Sequence, residues 1–210
     1  MKMINFAVKK GGAGKTTLCK NIAYKLALDE AKVLLIDLDP QVTLTLNLVN
    51  NIYNKNKTIK SVLTEPELIK IAQIIQETKY KNIDIIVGGE QLNKVSAILN
   101  LNYSNEKDQH LIADTLYMQN DKTFDSYDYV LIDYPPTINE LSVSFLMLSD
   151  LIIAPLTDDG GCYKGVLDLK NTLDFVIHFF IKYYYKNYNL WGHKNMNNNK
   201  FNNSLMIENG

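Results

Sequence analysis

The sequence predicts an α/β fold: a doubly wound, mostly parallel sheet flanked by helices. Three observations predict it. Short apolar runs that read as strands alternate along the chain with stretches of helical periodicity. Two of these runs, Val33-Leu34-Leu35-Ile36-Asp37 and Tyr129-Val130-Leu131-Ile132-Asp133, lack polar alternation, as strands covered on both faces do, and both end in an aspartate. The first run, Met3-Ile4-Asn5-Phe6-Ala7-Val8, passes through a glycine-rich turn directly into a helix. Right-handed crossovers then bring the strand-end loops to one rim, where open α/β sheets bind ligands.

That first turn reads Val-Lys-Lys-Gly-Gly-Ala-Gly-Lys-Thr-Thr over residues 8–17, and Leu18, Ile22, Ala23, Leu26 and Ala27 follow at helical spacing. Strand, glycine-rich turn, Gly-Lys-Thr and helix form the layout of a phosphate-binding loop. Gly11, Gly12 and Gly14 let backbone amides converge on an anion at a helix N-terminus, with Ala13 between them. Lys15 is placed to reach β- and γ-phosphates, and Thr16 to hold Mg²⁺ through its hydroxyl. The general pattern G-x-x-x-x-G-K-[ST] asks for a glycine at position 9, which is Lys9 here. The variant K-G-G-x-G-K-[ST] fits instead, and it adds Lys10 beside the first glycine.

The second strand runs into Asp37-Leu38-Asp39-Pro40-Gln41, and Pro40 fixes the turn. Two aspartates beside a phosphate loop are candidates for metal and water handling. Residues 42–57 are apolar and then polar without clear period. Residues 58–63 and 66–76 read as short helices, and Ile83-Asp84-Ile85-Ile86-Val87 as a strand closed by Gly88-Gly89. Residues 91–101 and 108–118 read as helical. The strand over residues 127–133 is broken by Tyr134-Pro135-Pro136, and residues 138–148 read as a helix. Leu151-Ile152-Ile153-Ala154 reads as a strand stopped by Pro155, followed by a long helix over residues 163–186. The reading divides the chain into a domain over residues 1–186, an Asn/Lys-rich loop or disordered insertion over 187–203, and the start of a further strand over 204–210.

Composition is globular: 210 residues, 46% hydrophobic and 21% charged, with a net charge of −1 that gives no global basic field. All 22 basic residues are lysine. Any cation completing the site is therefore a lysine or comes from a different protein. Cys19 and Cys162 have no metal-ligand spacing; Cys19 reads as buried in the first helix, Cys162 as a loop residue open to exposure. His110, His178 and His193 are scattered without partners. No signal peptide or transmembrane span is expected.

With the loop and the three aspartates in place, the chain resembles the ParA/MinD family of deviant Walker A ATPases, ParA (Soj-like) partition ATPases most closely. Residues 10–17 are similar to the deviant Walker A with its signature lysine, 33–41 to Walker A′, and 127–136 to Walker B with its Pro-Pro sequel. The resemblance covers roughly the first 170 residues. It implies a P-loop NTPase fold and a slow ATPase that works as a switch. ATP and Mg²⁺ are the implied cofactors, and two subunits close over two nucleotides. By the same resemblance Lys10 reaches the partner's phosphates. Lys15 and residues 11–17, Thr17 included, hold the nucleotide. Thr16 and Asp133 hold the metal with help from Asp37, and Asp39 positions the attacking water. Implied partners are non-specific DNA and a ParB-type centromere-binding protein, in a cytoplasmic, nucleoid-associated setting with no membrane contact. Val42 stands where a glycine is common in the family. The family generally continues beyond Leu205-Met206-Ile207, so the chain is read as truncated, with C-terminal strands missing. Two alternatives stay open: a catalytically silent nucleotide-binding remnant, and a MinD-like membrane-associated positioning ATPase. A nitrogenase-type electron-transfer role needs paired cysteines to ligate a cluster between subunits, places that Cys19 and Cys162 do not fill.

Overall fold

A computed structural model describes residues 1–49, 54, 56–65, 68–94, 112–158, 160–187 and 205–209. Its centre is a sheet of seven strands: β1 (Lys2–Phe6), β2 (Val33–Asp37), β3 (Ile75–Glu77), β4 (Ile83–Ile86), β5 (Tyr129–Asp133), β6 (Leu151–Leu156) and β7 (Leu205–Asn209). Their order is β3-β4-β2-β5-β1-β6-β7. Six strands are mutually parallel, and β3 runs antiparallel to β4 at the edge. This is the doubly wound sheet that the alternating pattern predicts.

The unbroken apolar runs are explained by two cores, one on each face. Val33, Leu35, Ile83, Ile85 and Leu131 face one way, onto Cys19 and Ala23 of helix α1 (Lys15–Leu28) and Leu44 and Leu48 of α2 (Thr43–Leu48). Leu34, Ile36, Ile86, Val130 and Ile132 face the other way. There they meet α3 (Ile59–Thr64), α4 (Ile71–Ile74), α5 (Ile112–Gln119), α6 (Asp121–Phe124), α7 (Glu140–Met147) and α8 (Gly160–Asn187). A third, smaller cluster of Val8, Ala13, Ala154, Cys162 and Val166 joins the first turn to β6 and α8.

Four sequence expectations change. The helix expected over residues 66–76 is only Ile71–Ile74, because Ile75 and Gln76 pair with Ile86 and Ile85 as β3. A short run of β-branched residues is satisfied by either period, and a free sheet edge decides it. Pro155 does not stop β6, which continues to Leu156. Its ladder with β1 ends at Ile153, whose carbonyl accepts from Ala7 N at 3.1 Å, so the missing proline N–H falls on a side where pairing is over. The last helix starts at Gly160, which places Cys162 in its first turn with no exposure. Residues 90–94 form a 3₁₀ helix (Glu90–Lys94); the remainder of the helix expected to 101, and residues 108–111, lie outside the described residues. So do 188–204, most of the expected insertion, whereas the strand expected after it is β7.

Candidate functional site

The loop between β1 and α1 is shaped by three backbone features. Lys10 N donates to Val8 O at 2.8 Å, which turns the chain as it leaves the sheet. Gly12 and Gly14 have φ of +73° and +88°, the left-handed region that side chains disfavour. Gly14 is the N-cap of α1 and accepts from Leu18 N at 2.9 Å. The first-turn N–H groups of a helix have no intrahelical acceptors, and the first turn of α1 carries no acidic side chain to neutralise them. Gly11, Gly12 and Gly14 are open to solvent, whereas Ala13 is buried and pins the loop from below. The result is an accessible cradle of amide donors, a fit for phosphate oxygens.

Lys15 is only 6% exposed, and its Nζ donates to Lys10 O at 2.8 Å. Burial lowers its pKa, while Asp133, Asp39 and Cys162 raise it in part. Its ammonium is thus held inside the loop, with a backbone carbonyl accepting where an anion would bind more strongly.

Strand pairing sets Asp37 directly beside Asp133, and Asp133 beside Phe6 at the end of β1. Asp133 is fully buried; Thr16 Oγ1 donates to its Oδ2 at 2.7 Å, and its Oδ1 has no partner among the described residues. Burial is the main cause that pushes its pKa up to about 7, with the neighbouring Asp37 adding to it; the Thr16 hydroxyl and Lys15 pull the other way. A buried carboxylate oxygen without a partner costs about 1–3 kcal/mol. That cost is relieved by a cation or an ordered water, so Thr16 and Asp133 fit a Mg²⁺ site. Among the described residues no three His, Cys, Asp or Glu side chains form a ready-made cation cage. An ion here would therefore take its other ligands from water and phosphate oxygens, as Mg²⁺ does.

Asp37 is also fully buried, but both of its oxygens are engaged. Asp39 N donates to Oδ1 at 3.1 Å; Thr45 N and Thr45 Oγ1 donate to Oδ2 at 3.0 and 2.7 Å. Burial raises its pKa to about 6 against these bonds. The geometry makes Asp37 the anchor of the β2–α2 turn. Asp39 is half-buried at the apex of that turn, with Oδ1 accepting from Gln41 N at 2.9 Å. Val42 closes the turn at φ +49°, a left-handed conformation in which a β-branched residue is strained.

Lys10, Lys15, Thr16, Asp37, Asp39 and Asp133 thus lie on one rim, and Thr17 sits exposed in the first turn of α1. Three supporting residues escape the sequence reading. Thr45 grips Asp37 from eight positions away. A side chain at Gly88 would collide with the carbonyl oxygen of Asp37 and lie 3.2 Å from that of Asp39, so β4 ends on glycine where the β2 turn passes. The Gly88-Gly89 pair was the available signal for this close approach. Gly165 has the same role on α8, where an added Cβ would sit 2.8 Å from Lys9 O.

A family model described as an AAA domain matches residues 1–183. The chain belongs to the ParA/MinD family of P-loop ATPases. It is 33% identical over 171 residues to the virulence plasmid ParA family protein pGP5-D of Chlamydia psittaci, covering 81% of this chain and 62% of that one. To the sporulation initiation inhibitor protein Soj of Bacillus subtilis it is 29% identical over 175 residues, covering 83% and 66%. A plasmid partition protein of Borrelia burgdorferi B31, solved bound to AMPPNP, is 26% identical with a TM-score of 0.66, over 84% of this chain and 69% of that one. The chain spans about half to two thirds of the length of the curated relatives it matches, 52% of a Mycobacterium tuberculosis protein at the lower end. Among the described residues no helix is long and apolar enough to cross a membrane.

Proposed function

We propose that this ParA-type chain is an ATP-dependent dimerisation switch for plasmid or chromosome partitioning. It binds ATP with Mg²⁺, hydrolyses it slowly, and associates with non-specific DNA and the nucleoid in the ATP state. The observation that carries the reading is the pair Thr16–Asp133: a 2.7 Å hydrogen bond, with the second carboxylate oxygen buried and unpartnered among the described residues, at the mouth of the amide cradle.

In this reading the amides of residues 11–17 and the Lys15 ammonium hold the phosphates. The bond from Lys15 to Lys10 O is exchanged for a charge-assisted one. Thr16 and Asp133 hold the ion. Mg²⁺, when bound, supplies charge neutralisation to the phosphoryl group being transferred. Asp37 acts through the turn it anchors, keeping Asp39 at the rim. Asp39 orients the attacking water, and Lys10 stabilises transition-state charge on the partner subunit's nucleotide. The absence of arginine supports giving this part to a lysine. A ParB-type protein stimulates turnover.

Sedimentation velocity with ATP and Mg²⁺ tests the switch: the monomer shifts to a dimer, and a profile unchanged by ATP refutes it. Lys10→Ala retains ATP affinity and loses at least about tenfold in dimer-dependent hydrolysis. Unchanged hydrolysis removes Lys10 from the mechanism.

A further inference from the structure

Lys9 occupies the position where the general phosphate-loop pattern has glycine, and the nucleotide chemistry gives it no task. Its Nζ donates to Thr172 Oγ1 at 2.7 Å, across the gap to α8. Thr172 Oγ1 donates in turn to Asp168 O at 2.8 Å, so its lone pair is turned toward the lysine. Seven residues earlier, two helical turns along the same side of α8, buried Gly165 lies against the Lys9 peptide. A Cβ there would lie 2.8 Å from Lys9 O, 3.0 Å from Lys9 C and 3.4 Å from Lys10 Cβ. Val166 and Cys162 of α8 join Val8 and Ala13 in the cluster beneath the loop.

The peptide so held is the one that sets both lysines of the site. Lys10 N is bonded to Val8 O at 2.8 Å, and Lys10 O receives Lys15 Nζ at 2.8 Å. A shift of Lys9 moves the Lys10 Cα–Cβ direction and the acceptor that holds Lys15 together. Small displacements of a positioned charge cost rate steeply.

We propose that Lys9, Gly165 and Thr172 form a latch that positions Lys10, with α8 as the element through which that position is set. They are positioning residues; none is assigned a contact with substrate. The close approach that a loop glycine would permit is provided by the helix glycine, and the lysine side chain fastens it. This latch rests on the reading of Lys10 as a lysine that acts in hydrolysis.

The test uses the full chain with Thr172→Val, Thr172→Ser and Gly165→Ala, and two readouts. Hydrogen–deuterium exchange of a peptide spanning residues 8–15, without nucleotide, reports the latch. Steady-state hydrolysis beside ATP affinity reports its effect on Lys10. The latch predicts exchange about tenfold faster in Thr172→Val and wild-type exchange in Thr172→Ser, which keeps the hydroxyl. It also predicts turnover down about tenfold in Thr172→Val and more in Gly165→Ala, with ATP affinity within about threefold of wild type. Exchange unchanged in Thr172→Val and Gly165→Ala overturns the latch, whatever the turnover. Faster exchange with unchanged turnover overturns its positioning of Lys10. A wild-type chain that binds ATP without hydrolysing it instead overturns the ATPase reading, and the exchange result still decides the latch.

Discussion

Two aspartates stand side by side at the ends of neighbouring strands, and they are put to different uses. Asp37 and Asp133 are paired in register, equally buried, and both shifted upward, to about 6 and about 7. Asp37 spends its oxygens on the chain, accepting from Asp39 N, Thr45 N and Thr45 Oγ1. Among the described residues the Asp133 side chain accepts once, from Thr16, and keeps Oδ1 without a partner. The first carboxylate builds a turn; the second is left under-satisfied, which costs stability that a ligand can return. Position in the sheet does not distinguish them; the donors that reach each one do.

The sharpest way to probe this contrast is to remove the loop's ammonium. Lys15→Ala lowers ATP affinity about 100-fold by calorimetry, the loss of one charged hydrogen-bonding group of about 3 kcal/mol. Asp133→Asn comes next. It lowers the Mg²⁺-dependent part of ATP affinity about tenfold, and it raises the melting temperature of the nucleotide-free chain above pH 7 by about 3–5 °C, since the costly buried charge is gone. Asp37→Asn behaves in the opposite way. It sets an amide N–H₂ against backbone donors, lowers the melting temperature by about 5 °C and leaves the Mg²⁺ dependence within about threefold. If both variants lost metal dependence equally, the two aspartates would share one function.

A further effect is on pH. A carboxyl whose folded pKa lies above its unfolded value keeps its proton in the folded state while the unfolded chain has lost it. For Asp37 and Asp133 that window runs from the ordinary 3.8 to about 6 and about 7. These groups therefore make the nucleotide-free chain less stable as pH rises from about 4 to about 7, with no further change from them above it. Thermal melts across this range show the slope, and Asp133→Asn removes part of it.

Much of this architecture was readable from the chain because it is encoded locally. Unbroken apolar runs announce strands covered on both faces, and the spacing of Gly12, Gly14, Lys15 and Thr16 announces the cradle. What escaped depends on close approaches between distant segments. Gly88 is needed only because the Asp37–Asp39 backbone passes over it, and Gly165 only because Lys9 does. Thr172 meets Lys9 from 163 positions away, and no local pattern marks such a pair. β3 was missed for a related reason: Ile74 and Ile75 suit helix or strand, and the open edge of β4 chose. Cys162 looked like a loop residue because Gly160-Gly161 reads as a loop, although α8 begins at Gly160 behind Thr157-Asp158-Asp159, residue types that favour a helix start.

The measurement that bears most directly on the central claim is ATP affinity by calorimetry with and without Mg²⁺, in wild type, Asp133→Asn and Asp37→Asn, on chains shown to be folded. The predicted result is a Mg²⁺ enhancement of about tenfold or more in wild type and Asp37→Asn that is lost in Asp133→Asn. An enhancement that survives in Asp133→Asn, or is absent from the wild type, contradicts the claim that Thr16 and Asp133 form the metal site of a nucleotide switch.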